Sequence, residues 1–288
     1  MKSAASNAIS PRAAVLSVVG AALLWSSGGL FIKIAPMPPL TVAFGRALVA
    51  ALLYLIVLRP DLKSARWTTA IAYAGCVVTF VLATRMTTAA NAIFLQYTGP
   101  AYVLALSPFV LGERFRAIDA LCVGLSLAGM SLFFVGKVEE GHALGNALGA
   151  LSGVFFALTV LFLRRDATRG NGDAIPSTTL GNLIAAAVAL PFAVTSLPAA
   201  LSGTGLAVLL YLGLVQIGLA YFLFARGVRR VPAAEASLIS MLEPVLNPVW
   251  VLIGTGERPG AWAIAGGAIV VAAVVLRTLL VREPSAAT

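Results

Sequence analysis

The chain alternates long apolar runs with short polar links, and the runs fall at about 13–32, 40–58, 67–84, 89–111, 117–135, 143–163, 176–197, 205–224, 233–253 and 260–280. Each is close to the roughly 20 residues that cross about 30 Å of hydrocarbon as an α-helix. Backbone polar groups in lipid must be satisfied within the segment, so continuous apolar runs of this length predict helices and no strands. The expectation is an all-α membrane protein of ten transmembrane helices.

One stretch occurs twice. Shifting the sequence by 144 positions lays Ala90–Arg114, ANAIFLQYTGPAYVLALSPFVLGER, over Ala234–Arg258. Ala90 then meets Ala234, Ala92 meets Ala236, Pro100 meets Pro244, and Gly112-Glu113-Arg114 meets Gly256-Glu257-Arg258. The shift is half of the 288 residues, so a duplicated unit of five helices is predicted. Because five is odd, the second unit enters the membrane from the opposite side, and the halves become inverted repeats around a shared central cavity. The boundaries follow: a polar lead 1–12, a first unit 13–136, a second unit 143–281 and a tail 282–288. The lead MKSAASNAISPR is expected to stay uncleaved, since the run after it is too long for a signal h-region.

Composition agrees with this picture. Hydrophobic residues make up 60% and charged residues 11%, against roughly 25% charged in soluble domains. The net charge of +9 is explained by placement. With a cytoplasmic N-terminus, the inside segments hold Lys2, Arg12, Arg59, Lys63, Arg66, Arg114, Arg116, Arg164, Arg165, Arg169, Arg226, Arg229, Arg230, Arg277 and Arg282, while the outside loops hold Lys33, Arg85, Lys137 and Arg258. That asymmetry puts both termini in the cytoplasm and makes a nucleic-acid partner unnecessary.

Candidate chemistry lies inside the spans. Arg46 in span 2 must face a partner or water, or snorkel outward. Glu243 is the carboxylate nearest the middle of any span, and it suits a proton carrier, a partner for Arg46 or a ligand for an ammonium group; the alternative is a protonated carboxyl bonded to a neighbouring helix. Pro100 and Pro244 predict matching kinks. Around them Ser237, Ser240, Glu243 and Asn247 share one helical face in span 9, and Gln96, Gly99 and Ser107 share the equivalent face in span 4, flanked by Tyr97 and Tyr102. Trp25, Tyr73, Phe156, Tyr211 and Trp250 are aromatic residues that either pack or line an aromatic-tolerant wall. Spans 5 and 10 are almost featureless and read as outer helices. Span 8 adds Gln216 and Tyr221, and Cys76 and Cys122 read as small packing residues.

A single histidine, His142, sits beside Glu139 and Glu140 in a link, so neither a metal site nor a catalytic constellation is expected, and no cofactor. A channel would need a ring of charge or a filter loop. The remaining expectation is a carrier for a small molecule, embedded in the lipid bilayer as a monomer or weak homodimer.

Ten spans in two five-helix units, each with a proline-bent fourth helix closing in Gly-Glu-Arg, and Leu242-Glu243-Pro244 in the second, resemble the drug/metabolite transporter (DMT) superfamily and its EamA-type carriers. The likeness runs over nearly the whole chain and is most like the YddG-type aromatic amino acid exporters. It departs in the first unit, which has Gly99-Pro100 where a Glu-Pro pair would stand. The resemblance implies a multi-pass protein of the bacterial inner membrane that exports aromatic and other amino acids by alternating access and facilitative uniport. Proton-coupled export of hydrophobic amines or nucleobases stays open on the residues alone.

Overall fold

The structure is a computed structural model that describes residues 9–87, 89–133, 135, 143–169, 174–196, 201–256 and 260–280. Most of the lead, the link with Lys137, Glu139, Glu140 and His142, the pair Glu257-Arg258 and the tail 282–288 lie outside the described residues, as do the side chains of Lys33, Arg85 and Asn247.

Every regular element among the described residues is helical. Eight are long and apolar enough to cross a membrane: α1 (Pro11–Ile32), α2 (Pro39–Leu58), α4 (Asn91–Leu111), α6 (Ala143–Thr168), α7 (Ile175–Ser196), α8 (Gly203–Gly227), α9 (Ala233–Gly254) and α10 (Ala261–Leu280). Between them stand two shorter apolar helices, α3 (Trp67–Ala83) and α5 (Ala117–Leu132). Leu16, Phe109 and Ile253 are among many large apolar side chains left exposed on the outer faces. A soluble protein rarely leaves such patches to water, whereas lipid accepts them.

Local chemistry sets the helix ends. The Ser10 hydroxyl accepts from the Ala13 amide and Pro11 opens α1; Ser202 caps α8 in the same way through the Gly205 amide. Gly112 and Gly256, equivalent under the 144-residue shift, are the two glycines with positive φ among the described residues, at 71° and 75°. A Cβ is disfavoured in this left-handed stop, which is why glycine closes both helices.

Three helices are interrupted. The first breaks at Ser27, α4 at Tyr97–Thr98 and α9 at Met241. The sequence predicted kinks at Pro100 and Pro244; the breaks lie just upstream, leaving each proline in the first turn of the next segment, Gly99–Leu111 and Leu242–Thr255. There the missing N–H removes no helical bond. A π-helical stretch at Tyr211–Leu219 widens the middle of α8.

The principal packing pairs map onto one another when the halves are exchanged. α3 lies on α6 as α8 lies on α1; α4 on α6 as α9 on α1; α3 on α7 as α8 on α2. The self-equivalent pairs α2–α7, α4–α9 and α5–α10 also pack. Small residues permit the closest approaches: a Cβ at Gly45 on α2 would stand 2.7 Å from Leu209 on α8, and one at Gly181 on α7 would stand 2.7 Å from Tyr73 on α3.

The links put the end of α1, the start of α2, the end of α3 and the start of α4 at one extremity of the bundle, continuing in alternation to the start of α10. At the opposite extremity the helices are tied by polar contacts. Glu113 accepts from Arg164 Nε at 2.9 Å and from the Ala233 amide at 2.9 Å, and Arg164 also donates to the Val228 carbonyl. Asp166 accepts from the Thr69 and Ser177 hydroxyls and lies 3.3 Å from Arg66. Arg277, counted with the inside segments at the end of span 10, is buried in α10 between Asp119 of α5 and Glu235 of α9. Outside the almost featureless stretches Leu121–Phe134 and Ala263–Leu276, a buried cation with two carboxylates fastens α5 and α10 to α9.

Candidate functional site

A cavity of about 630 Å³ occupies the middle of the bundle. That is within the roughly 300–1,000 Å³ usual for small-molecule sites. Its walls come from both halves. Trp25, Gly28 and Ile32 belong to α1, Val42 and Arg46 to α2, and Cys76, Phe80 and Val81 to α3; Gln96 and Tyr97 stand at the break of α4, Phe156 on α6, Gln216 and Tyr221 on α8, and Glu243 and Pro244 just after the break of α9. Gly28, Ile32, Val42, Phe80, Val81 and Ile93 carry the lining toward the extremity shared by the end of α1 and the start of α2. The ion pairs at Glu113, Asp166 and Arg277 lie at the other.

Two opposite charges share the cavity. Arg46 is 6% exposed and its Nε has no hydrogen-bond partner. Glu243 and Tyr97 line the same cavity as Arg46, and no salt bridge joins Glu243 to Arg46 among the described residues. Gln96 is fixed by its amide, which donates to Ser152 Oγ at 2.9 Å and toward Cys76 Sγ at 3.6 Å. The break beside it is packed against protein: a Cβ on Gly153 of α6 would meet the Leu95 and Gln96 carbonyl oxygens at 2.8 and 3.0 Å. The Leu95 carbonyl accepts from the Thr98 hydroxyl at 2.6 Å, and both carbonyls fit against α6 because Gly153 carries no side chain.

Of the residues singled out in the sequence, Trp25, Arg46, Gln96, Tyr97, Phe156, Glu243 and Pro244 line the cavity. Gln216, Tyr221 and Cys76, also named there, line it as well, and the remaining described candidates lie elsewhere. Tyr73 is fully buried with its hydroxyl on Asn182 Oδ1 at 3.0 Å; Tyr211 stacks on Phe31 and donates to Ser27; Trp250 donates to Ser26; Tyr102 packs on the core. Ser240 is buried and its hydroxyl turns back to the Ala236 carbonyl. Pro100 is buried beside the α4 break without reaching the cavity. Beyond the interruption at Met241, Glu243 lines the cavity, while Ser237 and Ser240, before it, are buried with their hydroxyls on the Ala234 and Ala236 carbonyls. Cys76, Phe80 and Gln216 line the cavity without having been marked as site residues. A glutamine in the middle of an apolar span was the available signal for Gln216, while the two apolar-helix residues carried none.

A multi-pass helical protein whose cavity is walled by both halves, with one charge of each sign, is a membrane transporter for small molecules rather than an enzyme. The model of the EamA-like transporter family matches residues 12–135 and again 143–279. The chain belongs to that family. It is 26% identical over 200 residues to an uncharacterized transporter of Archaeoglobus fulgidus, covering 69% of this chain and 71% of that protein. The uncharacterized transporters YxxF and YwfM of Bacillus subtilis are 23% and 27% identical, covering 95% and 86% of this chain and 91% and 88% of their own lengths. A crystal structure 20% identical in sequence superposes with a TM-score of 0.76, covering 96% of this chain and all of that one, and so shares the fold.

Proposed function

We propose that this protein exports amino acids, aromatic ones included, from the cytoplasm across the bacterial inner membrane by alternating access, as a facilitative uniporter. The observation that carries the reading is the central cavity itself: a mid-bundle chamber with Arg46, Glu243 and aromatic walls, extending to one extremity and sealed at the other. A zwitterion with an apolar side chain needs a cation, an anion and an apolar surface together, and this chamber offers all three.

The sidedness comes from charge. Arg59, Lys63, Arg66, Arg114, Arg116, Arg164, Arg165 and Arg169 gather at the sealed extremity, which the positive-inside rule makes cytoplasmic. Counting α3 and α5 with the longer helices gives ten spans, both termini inside, and two inverted units of five. The exchangeable packing and the matching left-handed glycines favour that topology. The conformation is then outward-facing, the state that follows release of an exported substrate.

The test is counterflow in proteoliposomes: labelled phenylalanine entering vesicles preloaded with unlabelled phenylalanine, without any ion gradient. Saturable counterflow is the expected result, kept in part, with weaker half-saturation, in Glu243→Gln. Linear, non-saturating flux would indicate a channel; loss of pH-driven accumulation in Glu243→Gln with counterflow intact would indicate proton antiport; no counterflow with any amino acid refutes the substrate.

A further inference from the structure

Three buried polar atoms have no hydrogen-bond partner and belong to side chains of the same cavity wall: Trp25 Nε1, Arg46 Nε and Gln216 Oε1. Their residues are 5%, 6% and 6% exposed. Buried donors and acceptors are almost always paired, so unpaired ones that share a cavity mark what the cavity is built to receive. Neighbouring polar groups are satisfied: Gln96 by Ser152, and the other nearby indole, Trp250, by Ser26.

The geometry points to an anchor for a carboxylate-bearing substrate, in which Trp25 Nε1–H and the Arg46 guanidinium receive the carboxylate while Gln216 Oε1 accepts an N–H from the same molecule. Two orphan donors, one of them cationic, match an oxyanion. The acceptor is held in place by packing. A Cβ on Gly28 would come within 2.8 Å of Gln216 Nε2, so the amide nitrogen is pressed to the α1 backbone at a glycine and the oxygen is the free end. The π-helical stretch of α8 carries Gln216 to this position, and such bulges recur at functional sites. Trp25 is held in turn by Tyr221 and Phe224, with ring centroids 4.9 and 5.2 Å away. Glu243, on the same cavity wall, supplies the second charge for an ammonium group.

The anchor rests on the reading of this cavity as the substrate site, and it adds that a carboxylate is required. Purified protein in detergent is titrated calorimetrically with L-phenylalanine, 3-phenylpropionate, which lacks the ammonium, and phenethylamine, which lacks the carboxylate. Both carboxylates are expected to bind at least about tenfold more tightly than phenethylamine, since a site built around a charged hydrogen bond rejects ligands lacking the partner. Trp25→Phe keeps the ring and removes only the donor. It should weaken both carboxylates several-fold and leave phenethylamine unchanged, and Arg46→Lys should lose less than Arg46→Gln. Phenethylamine binding as tightly as phenylalanine overturns the anchor, as does carboxylate affinity indifferent to both Trp25→Phe and Arg46→Lys. Binding of 3-phenylpropionate without phenylalanine upholds the anchor and refutes the amino-acid substrate; no binding of either carboxylate refutes both.

Discussion

Under the proposed topology Glu113 ties the cytoplasmic extremity together, and removing it should open that end. Its carboxylate accepts from Arg164 Nε and from the Ala233 amide, joining the turn after α4 to α6 and to the first residue of α9. The two side chains of the ion pair are 15% and 20% exposed, so the pair is worth more than a surface bridge and less than a dry one. Capping of a helix N-terminus contributes about 1 kcal/mol and a partly screened charged hydrogen bond about 1–2 kcal/mol. Glu113→Ala should therefore cost about 2–3 kcal/mol of the closed arrangement. If the contact exists only when this end is closed, the ratio of closed to open shifts roughly 30- to 150-fold at 1.4 kcal/mol per decade. Glu113→Gln keeps an acceptor for the Ala233 amide and should shift the ratio about fivefold, the worth of roughly 1 kcal/mol. Cys76, on the cavity wall, is the reporter, in a Cys122→Ser background. A membrane-impermeant methanethiosulfonate should label it from the outer face in the parent. In inside-out vesicles the labelling rate should rise in the order parent, Glu113→Gln, Glu113→Ala. An unchanged inside-out rate in both folded variants would refute the reasoning, and a lowered melting temperature with that unchanged rate would make Glu113 a fastener of the fold alone.

Two further outcomes follow from contacts away from the cavity walls. Gly153→Ala forces a methyl against the Leu95 and Gln96 carbonyls, where backbone cannot yield as a flexible side chain would, and should destabilise by about 1–3 kcal/mol; Gly124→Ala on α5, with nothing within 4 Å, is the control, and melting in detergent compares them. Arg277→Met leaves Asp119 and Glu235 buried without their cation and should cost about 3–5 kcal/mol. Its yield and melting temperature should fall while the order of substrate preferences in counterflow competition stays unchanged; a changed order would tie α10 to the site.

Much of the architecture was legible because the bilayer makes it so. A run of apolar residues long enough to cross is a helix on energetic grounds alone, and the duplicated Pro and Gly-Glu-Arg positions needed only a shift of register to be seen. Gly112 and Gly256 stand in the left-handed stops that their place after each apolar run implied. Arg46 and Glu243 were legible because an ionisable group in a span stands out against its surroundings. The aromatic candidates were legible only in part: Trp25, Tyr97 and Phe156 line the cavity and the others do not. Tyr73, Tyr211 and Trp250 satisfy neighbouring helices, and an indole or phenol that serves as an interhelical bond looks in one dimension like one that lines a wall.

What the sequence by itself determined is the helical class, the doubling and the charge asymmetry, since each depends on composition and order within a single helix or loop. Only the tertiary structure decided which polar atoms are paired. The break at Met241 separates Ser240, which turns into protein, from Glu243 on the cavity wall; the wide turn of α8 carries Gln216, and Cys76 reaches the cavity from the unbroken α3. Helical periodicity predicts faces only as far as the helix is continuous. Beyond each interruption, the packing of five helices against five chose the lining.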